Sequence, residues 1–453
     1  MKDKKSMEIF SKTPVMQAVF KNALPAMAAM LMVLVYNLAD TFFIGQTHDA
    51  LQVAAVSLAT PVFLIFMAAG TIFGVGGTSV ISRALGEGNE CHAKKVCAFC
   101  MWSCIIAGTV MAVLFLIFMD PILSLIGASP DTWDLAKTYL TIVTCSGPFV
   151  LISNCYTNVI RAEGKSGSAM MGQLLGNLFN VILDPVMILG FGWNIAGAAI
   201  ATVVGNVIGA GYYICYFLRG KSSLSISLKD FTMKDTVCSS VLAIGIPAAL
   251  GSLLMSISQI IVNSQMAEYG DMAIAGIGVA MKVTVITGMI CMGLGQGIQP
   301  LLGYCAGAKL WSRFKEVFKF SAIFAFILGA SLTILCYLSV NTIVNVFLTD
   351  ATAFDYAVRF SRILLTTSSL FGLFYVLVNG IQAMGKAAAS LVISLSRQGI
   401  IYIPALFILK AALGMTGPVW AQPVADIFST ILAAVLYIRT YRRLSKAPSA
   451  VPG

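Results

Sequence analysis

The chain has 453 residues, of which 58% are hydrophobic and 11% are charged, and its formal net charge at neutral pH is +10. A soluble globular protein carries roughly 25% charged residues, so this chain cannot keep all its apolar side chains inside one aqueous core. Apolar runs of about 18 or more residues span a bilayer as helices, and the uncharged run 99–119 is one of several. The composition therefore predicts an integral membrane protein and excludes a soluble domain.

Twelve transmembrane helices are predicted. In chain order they lie at about 15–46, 51–80, 95–118, 135–160, 168–190, 195–218, 237–268, 272–305, 316–340, 355–383, 388–410 and 414–440. The expected fold is an all-α membrane protein with two pseudo-symmetric six-helix lobes. The N-lobe covers residues 1–218, a cytoplasmic linker covers 219–236, and the C-lobe with its basic tail covers 237–453.

The distribution of Lys and Arg predicts the orientation. Loops on one side, with both termini, contain 23 of these residues, and loops on the opposite side contain four. Basic loops remain in the cytoplasm, so both termini are expected there, in a cell (plasma or inner) membrane. Since the basic excess lies in short loops, no nucleic-acid partner is expected. The polar start MKDKKSMEIFSK leads directly into the first span, so no cleavable signal peptide is expected.

The two halves repeat each other. The segment NVIRAEGK at 158–165 matches NGIQAMGK at 379–386, displaced by 221 residues, and Pro25 matches Pro247, displaced by 222. Six helices per half give both halves the same orientation, as in transporters with parallel repeats. Such repeats enclose a cleft near the membrane midplane, so one chain is expected to function as a monomer.

Four polar residues in the first half form a candidate ion site. Asp40 and Asp184 lie about 28 and 24 Å along their helices from the cytoplasmic side, and Thr202 lies about 10 Å from the opposite face. Asn180 and Asp184 share a helix face. Their oxygens suit Na⁺, and two close carboxylates suit a proton equally well. The structural alternative is that Asp184 caps or bends its helix at the Asp184–Pro185 step while Asp40 lines a wet crevice.

The second half contains three ionisable residues within predicted spans: Lys282, Arg397 and Asp426. They form either a structural ion pair or triad, or part of a substrate-binding cleft. The other candidate cleft residues are polar amides, namely Asn37, Gln259, Asn263, Gln296 and Gln299. These amides could equally hydrogen-bond between helices.

A set of residues in the first half resembles the multidrug and toxic compound extrusion (MATE) family: Pro25 with Asp40, Asn180 and Asp184 before Pro185, and Thr202. The stretch GLGQGIQPLLGYCAGAK at 293–309 and the repeated NxIxAxGK resemble its MepA-like bacterial branch. The resemblance implies a cation-coupled antiporter that expels organic, often cationic, drugs by alternating access, with the four polar residues as the coupling-ion site. The sequence departs from some members on predicted helix 7, which carries amides in place of an acid.

The leading hypothesis is therefore Na⁺- or H⁺-coupled export of small organic molecules. A lipid-linked precursor flippase is the alternative within the same superfamily fold, and a membrane-embedded enzyme is the alternative from another class. The only histidines, His48 and His92, lie in loops on opposite faces, and no GxxxxGK[ST] motif occurs. No enzymatic activity and no cofactor are expected. The cysteines within spans, including Cys97-x-x-Cys100, are expected to be free, buried thiols.

Overall fold

The computed structural model describes residues 8–47, 49–220, 222–234, 236–348 and 350–446. Across these ranges the chain is helical, its connections are short except for the one at 219–236, and they contain no strand. Five residues that enter the predictions of orientation and loop position lie outside the described residues: Lys2, Lys4, Lys5, Lys221 and His48.

Within the described residues, the first half contains a helical stretch at 8–11 and then eight α-helices with defined bounds. In order they are α1 (Val15–Gly45), α2 (Ala50–Gly86), α3 (Glu90–Ile117), α4 (Met119–Leu125), α5 (Pro130–Cys145), α6 (Gly147–Ala162), α7 (Ser166–Pro185) and α8 (Asn194–Leu218). A π-helical turn, Val186–Gly190, extends α7.

Within the part of the second half that the structure describes there are nine α-helices. They are α9 (Val237–Ala267), α10 (Asp271–Gly307), α11 (Trp311–Leu338), α12 (Val340–Phe347), α13 (Ala351–Leu365), α14 (Ser369–Ala383), α15 (Ala387–Leu395), α16 (Tyr402–Leu413) and α17 (Gly417–Ser445). A second π-helical turn, Ser396–Ile400, joins α15 to α16.

The helices reproduce the repeat seen in the sequence. Helices α1, α2 and α3 have 31, 37 and 28 residues, and α9, α10 and α11 have the same three lengths. Their first residues are displaced by 222, 221 and 221 positions, respectively. The two halves therefore repeat each other in helix length as well as in sequence motif.

Nine helical stretches within the described ranges are long and apolar enough to cross a membrane. Counting the bent pairs α5–α6 (56°) and α13–α14 (48°) as one span each raises the number to eleven. The final stretch, Ala387–Ser445, enters this count once although its 59 residues contain three helices. The count of twelve and the orientation of the termini therefore remain predictions.

Several boundaries differ from the sequence prediction for identifiable local reasons. Helix α5 begins five residues before the predicted span because Ser129 and Thr132 form a capping box and Pro130 occupies the first turn. The predicted span 135–160 is two helices, since α5 ends before Ser146 and Pro148 starts α6. Short helices α4 and α12 follow long spans and were not predicted.

All eleven cysteines are free. The prediction of buried thiols within the spans is correct for Cys97, Cys100 and most others but wrong for Cys145 and Cys215, which are exposed. Both of these lie on outward helix faces, which hydrophobicity alone cannot distinguish from inward ones.

The described chain divides into two compact units. The first unit includes Ala28–Ala84 and Asn89–Ala249, and the second includes Phe10–Met27, Leu85–Gly88 and residues from Leu250 onward. Within the first unit, the start of α9 packs so closely on α2 that a Cβ on Gly245 would meet the backbone of Ile72. Within the second, the start of α1 packs on α10, where a Cβ on Gly297 would lie 2.6 Å from Ala23 Cα. The predicted lobe boundaries remain a prediction.

The linker between the two halves is attached to the first unit through a buried carboxylate. Glu163, directly after α6, accepts hydrogen bonds from the Tyr216 hydroxyl (3.0 Å) and the Leu224 N–H (3.1 Å), and also from the Ser222 hydroxyl. Burial raises the pKa of Glu163 above its ordinary value of 4.5, although these donors and Lys165 oppose the shift. Further along the linker, the Trp102 indole N–H donates to the carbonyl of Ile226 (3.2 Å).

Candidate functional site

The first unit brings together the four polar residues predicted as an ion site. Asp40 lies on α1, Asn180 and Asp184 on α7, and Thr202 on α8. The Asn180 Nδ2 donates to Thr202 Oγ1 at 3.3 Å, and Asp40 lies close enough to Asp184 for their charges to interact. Three helices therefore converge on one polar site.

Several oxygens of this site receive no hydrogen bond from the part of the chain that the structure describes. Among the described residues, nothing donates to Oδ1 of Asp40, Oδ1 of Asn180 or either carboxylate oxygen of Asp184. Asp184 is fully buried and Asn180 is 2% exposed. Because an unsatisfied buried polar group is costly and a buried charge costs more, a cation or proton among these oxygens would stabilise the site.

The end of α7 shapes this site. Pro185 has no N–H, so it cannot donate within the helix, and the chain continues as the π-helical turn Val186–Gly190. Turns of this kind often occur at functional sites. One turn before Asn180, Gly176 meets Gly205 so closely that a Cβ on either would lie 2.7 Å from the other's carbonyl oxygen. This contact holds α7 against α8 beside the site.

Sequence reasoning missed two tyrosines and a row of amides at the site. Tyr36, one turn before Asp40, and Tyr139 on α5 both lie beside Thr202 and the two acids. On α7, Gln173 and Asn177 continue the polar face of Asn180 toward the start of the helix, and each has a buried side-chain atom without a partner among the described residues. Helical spacing from Asp40 could have indicated Tyr36, and spacing from Asn180 could have indicated Gln173 and Asn177. Tyr139 lies on a separate helix, and only the folded structure places it near the two acids.

In the second unit, Arg397 and Asp426 form a buried ion pair. Arg397 Nε donates to Asp426 Oδ1 at 2.8 Å, and their side chains are 11% and 2% exposed. Gln422 Nε2 donates to the same oxygen (2.9 Å), and the Thr367 hydroxyl donates to the other (3.4 Å). Asp426 is therefore well satisfied, unlike the acids of the first unit.

The guanidinium of Arg397 also packs among aromatic rings. It lies 5.0, 4.7 and 5.8 Å from the ring centroids of Phe371, Phe374 and Tyr375, respectively. These distances are within the range of cation–π attraction. The arginine therefore has both an ionic and an aromatic environment.

Arg397 lies in the wall of a cavity of about 250 Å³ inside the second unit, called here the second-unit cavity. Its wall includes four methionines (Met255, Met281, Met289, Met292), the aromatic residues Phe371, Tyr375 and Tyr402, and the amides Gln259, Gln398 and Gln422. Flexible methionine side chains suit a surface that adapts to different apolar molecules.

The other predicted cleft residues are not among the described residues that line the second-unit cavity. These include Asn263, Gln296 and Gln299, of which Gln299 is buried and donates to Gln382 Oε1 at 3.5 Å. Lys282 is exposed with its Nζ 5.2 Å above the Phe347 ring, and it forms no ion pair with any described residue. Asn37 is exposed on α1 in the first unit.

The MatE family model matches the chain twice, at residues 25–186 and 247–408. The matches begin 222 residues apart, as the repeat predicts. The chain therefore belongs to the MATE family, and it is a multi-pass membrane transporter and not an enzyme.

Relatives extend over almost the whole chain. The multidrug export protein MepA of Staphylococcus aureus (strain MRSA252) is 33% identical over 447 residues, which cover 98% of this chain and 97% of that protein. MepA of Staphylococcus haemolyticus (strain JCSC1435) is 31% identical over 436 residues, which cover 96% of each. A solved MATE transporter in an outward-facing conformation matches with a TM-score of 0.93 at 22% identity, over 98% of this chain and 99% of that one.

Proposed function

We propose that this chain is a multidrug exporter of the cell membrane. It would move organic, often cationic, compounds outward in exchange for Na⁺ or H⁺, by alternating access. The observation that carries the proposal is the pair of acids Asp40 and Asp184 in a chain that belongs to the MATE family: Oδ1 of Asp40 and both carboxylate oxygens of Asp184 receive no hydrogen bond from the described residues. The names of the MepA relatives, which are multidrug export proteins, support export as its direction.

The chemistry of the site suits a monovalent cation. Two carboxylates, an amide oxygen and a hydroxyl are hard ligands suited to Na⁺, and either carboxylate can instead take a proton. A bound cation would neutralise part of this buried charge and so favour one conformation over another.

The flippase alternative finds less support. A pyrophosphate-linked substrate needs cations that are free to bind phosphate. Arg397 is already paired with Asp426, and the site in the first unit is acidic. The MepA relatives are also named for export.

Ethidium efflux from proteoliposomes containing the purified chain tests the proposal. One set of liposomes carries a Na⁺ gradient at equal pH, and the other carries a pH gradient without Na⁺. We expect one gradient to drive efflux, and the responding gradient identifies the coupling ion. Absence of efflux under both gradients, from protein shown to be folded, would refute coupled export.

The variant Asp184→Asn tests the role of the site in the same assay. It removes one negative charge at nearly constant shape, and we expect at least a tenfold loss of gradient-driven efflux with unchanged thermal stability. Asp134→Asn is the matched control, because Asp134 is an exposed acid at the start of α5. Full efflux by Asp184→Asn, or an equal loss in Asp134→Asn, would contradict the assignment.

A further inference from the structure

A surface groove of about 530 Å³ lies in the second unit, between α13 and the start of α17, and is called here the Arg359 groove. Its polar lining consists of Asp355, Arg359, Arg362 and Thr416, and the Trp420 side chain also borders it. Sites that bind small molecules have volumes of roughly 300–1,000 Å³. The groove is therefore large enough to hold a small polar group of a ligand.

The charges of the groove follow from the sequence of α13. Asp355, Arg359 and Arg362 are four and three residues apart, so they share one face of the helix, and all three are exposed. The opposite face, which includes Ala357 and Phe360, is buried within the second unit. Two cations and one anion therefore line the groove, which gives it a net charge of +1.

The two arginines are unusual among the basic residues predicted to lie on the side of the membrane opposite the termini. The sequence places four basic residues there: Lys137, Arg359, Arg362 and Lys410. Each of the two lysines forms an ion pair with an acid at 2.7 Å. In contrast, Arg359 and Arg362 form no ion pair and no side-chain hydrogen bond with any described residue. Because each guanidinium carries five N–H donors, the groove offers a concentrated set of donors to an anion.

The surroundings of the groove are typical of a membrane–water interface. The Arg362 guanidinium lies 5.6 Å from the centroid of the Tyr337 ring, and Tyr and Trp are enriched at this interface. Tyr337 lies at the end of α11, where exposed apolar side chains such as Ile334 and Leu338 surround it. The surface therefore changes from two arginines to apolar side chains over a short distance, which fits a molecule with an anionic head and apolar tails.

We propose that the Arg359 groove binds the headgroup of a singly charged anionic phospholipid of the phosphatidylglycerol type. Its phosphodiester binds the two arginines, since a guanidinium pairs with two phosphate oxygens at once. One negative charge neutralises the groove, and the Asp355 carboxylate accepts hydrogen bonds from the headgroup hydroxyls. The acyl chains lie against the exposed apolar side chains of α11. The inference does not rest on the proposed export function.

Binding of two lipids with identical acyl chains tests the proposal. Phosphatidylglycerol and phosphatidylcholine, each with a fluorescent acyl chain, are titrated with the purified chain in a nonionic detergent, and fluorescence anisotropy gives the two affinities. An arginine beside an anionic lipid strengthens binding by about fivefold. We therefore expect a roughly 25-fold preference for phosphatidylglycerol, about fivefold in Arg359→Gln or Arg362→Gln alone, and about one in the double variant. A double variant that retains the full preference would overturn the proposal.

A matched double variant distinguishes the groove from the general charge of the chain. Arg442→Gln with Arg443→Gln removes the same charge from two exposed arginines in the last turn of α17. We expect this control to keep its lipid preference within twofold, and thermal unfolding in detergent to be unchanged in both double variants. Equal losses of preference in the two double variants would show a general charge effect and would overturn the assigned site.

Inorganic phosphate distinguishes a lipid headgroup from a soluble anion. Sodium phosphate in large excess over the labelled phosphatidylglycerol is added to the complex, with sodium chloride at equal ionic strength as the control. We expect both salts to release the same small fraction of lipid, because burial of the acyl chains against α11 retains it. Release by phosphate alone, absent in the double variant of Arg359 and Arg362, would assign the groove to a soluble anion and overturn the lipid proposal.

Discussion

Glu163 attaches the linker between the two halves of the chain, and its replacement should release the start of that linker. The carboxylate accepts from a tyrosine hydroxyl on α8 and from the backbone N–H of Leu224. In Glu163→Ala these two donors and the Ser222 hydroxyl lose this acceptor within a largely buried site, and the Leu224 N–H keeps Ser222 Oγ as a second acceptor. The equivalent position in the second half is Met384. Because methionine has no carboxylate, the second half has no matching contact at that position.

The size of the effect follows from the number and kind of bonds. A typical hydrogen bond contributes about 0.5–1.5 kcal/mol net, and a buried donor left without an acceptor costs about 1–3 kcal/mol, some of which returns when water reaches the released donors. We expect Glu163→Ala to weaken linker attachment by about 3 kcal/mol, which is roughly a 150-fold increase in local opening. Glu163→Gln retains an acceptor oxygen and should cost about 1 kcal/mol, a roughly fivefold increase.

Attachment should also depend on pH. Because burial raises the pKa of Glu163 above 4.5, the attached state favours the protonated carboxyl more than the released state does. The stabilisation that the Glu163 carboxyl gives to linker attachment is fully present below its ordinary pKa. This stabilisation is lost as the pH rises through the raised pKa. Glu163→Gln has no such group and should show no dependence in that window.

Hydrogen exchange with mass spectrometry on peptides that contain Leu224, corrected for intrinsic exchange, measures local opening. Glu87→Ala is the control, because Glu87 is exposed beside the start of α3. Equal exchange in Glu163→Ala and the unmodified chain would refute the assigned attachment. Protection that increases with pH between 4.5 and neutrality would refute the assigned direction of the pKa shift.

Two further predictions concern packing and the buried ion pair. Gly205→Ala should lower the thermal stability in detergent, because its Cβ would meet a carbonyl oxygen at 2.7 Å, at a cost of about 1–3 kcal/mol. Gly211→Ala should instead gain about 0.5–1 kcal/mol from helix propensity, since nothing lies within 4 Å of a Cβ there; equal shifts in the two variants would contradict this. Asp426→Leu should lose about 3–5 kcal/mol by leaving Arg397 unpaired. Adding Arg397→Met should recover most of that loss, and chemical unfolding that shows no recovery would argue against a mainly electrostatic pair.

The sequence determined the class of protein and the order of its spans. Helices are local structures, and in lipid each must satisfy its own backbone, so apolar runs identify them directly. The repeated motifs established the relation between the halves, and helix spacing placed Asn180 and Asp184 on one face. Helix caps such as Ser129 with Pro130 could also have been recognised in the sequence, although the predicted start of that span did not use them.

Tertiary structure decided which polar groups meet. Helix spacing cannot show which faces of separate helices approach each other, so the partner of Arg397 and the position of Lys282 over the Phe347 ring became evident only in the folded chain. The same holds for Tyr139, which reaches the acids from a different helix. The second-unit cavity is likewise a property of packing, because its walls come from helices that are far apart in the sequence.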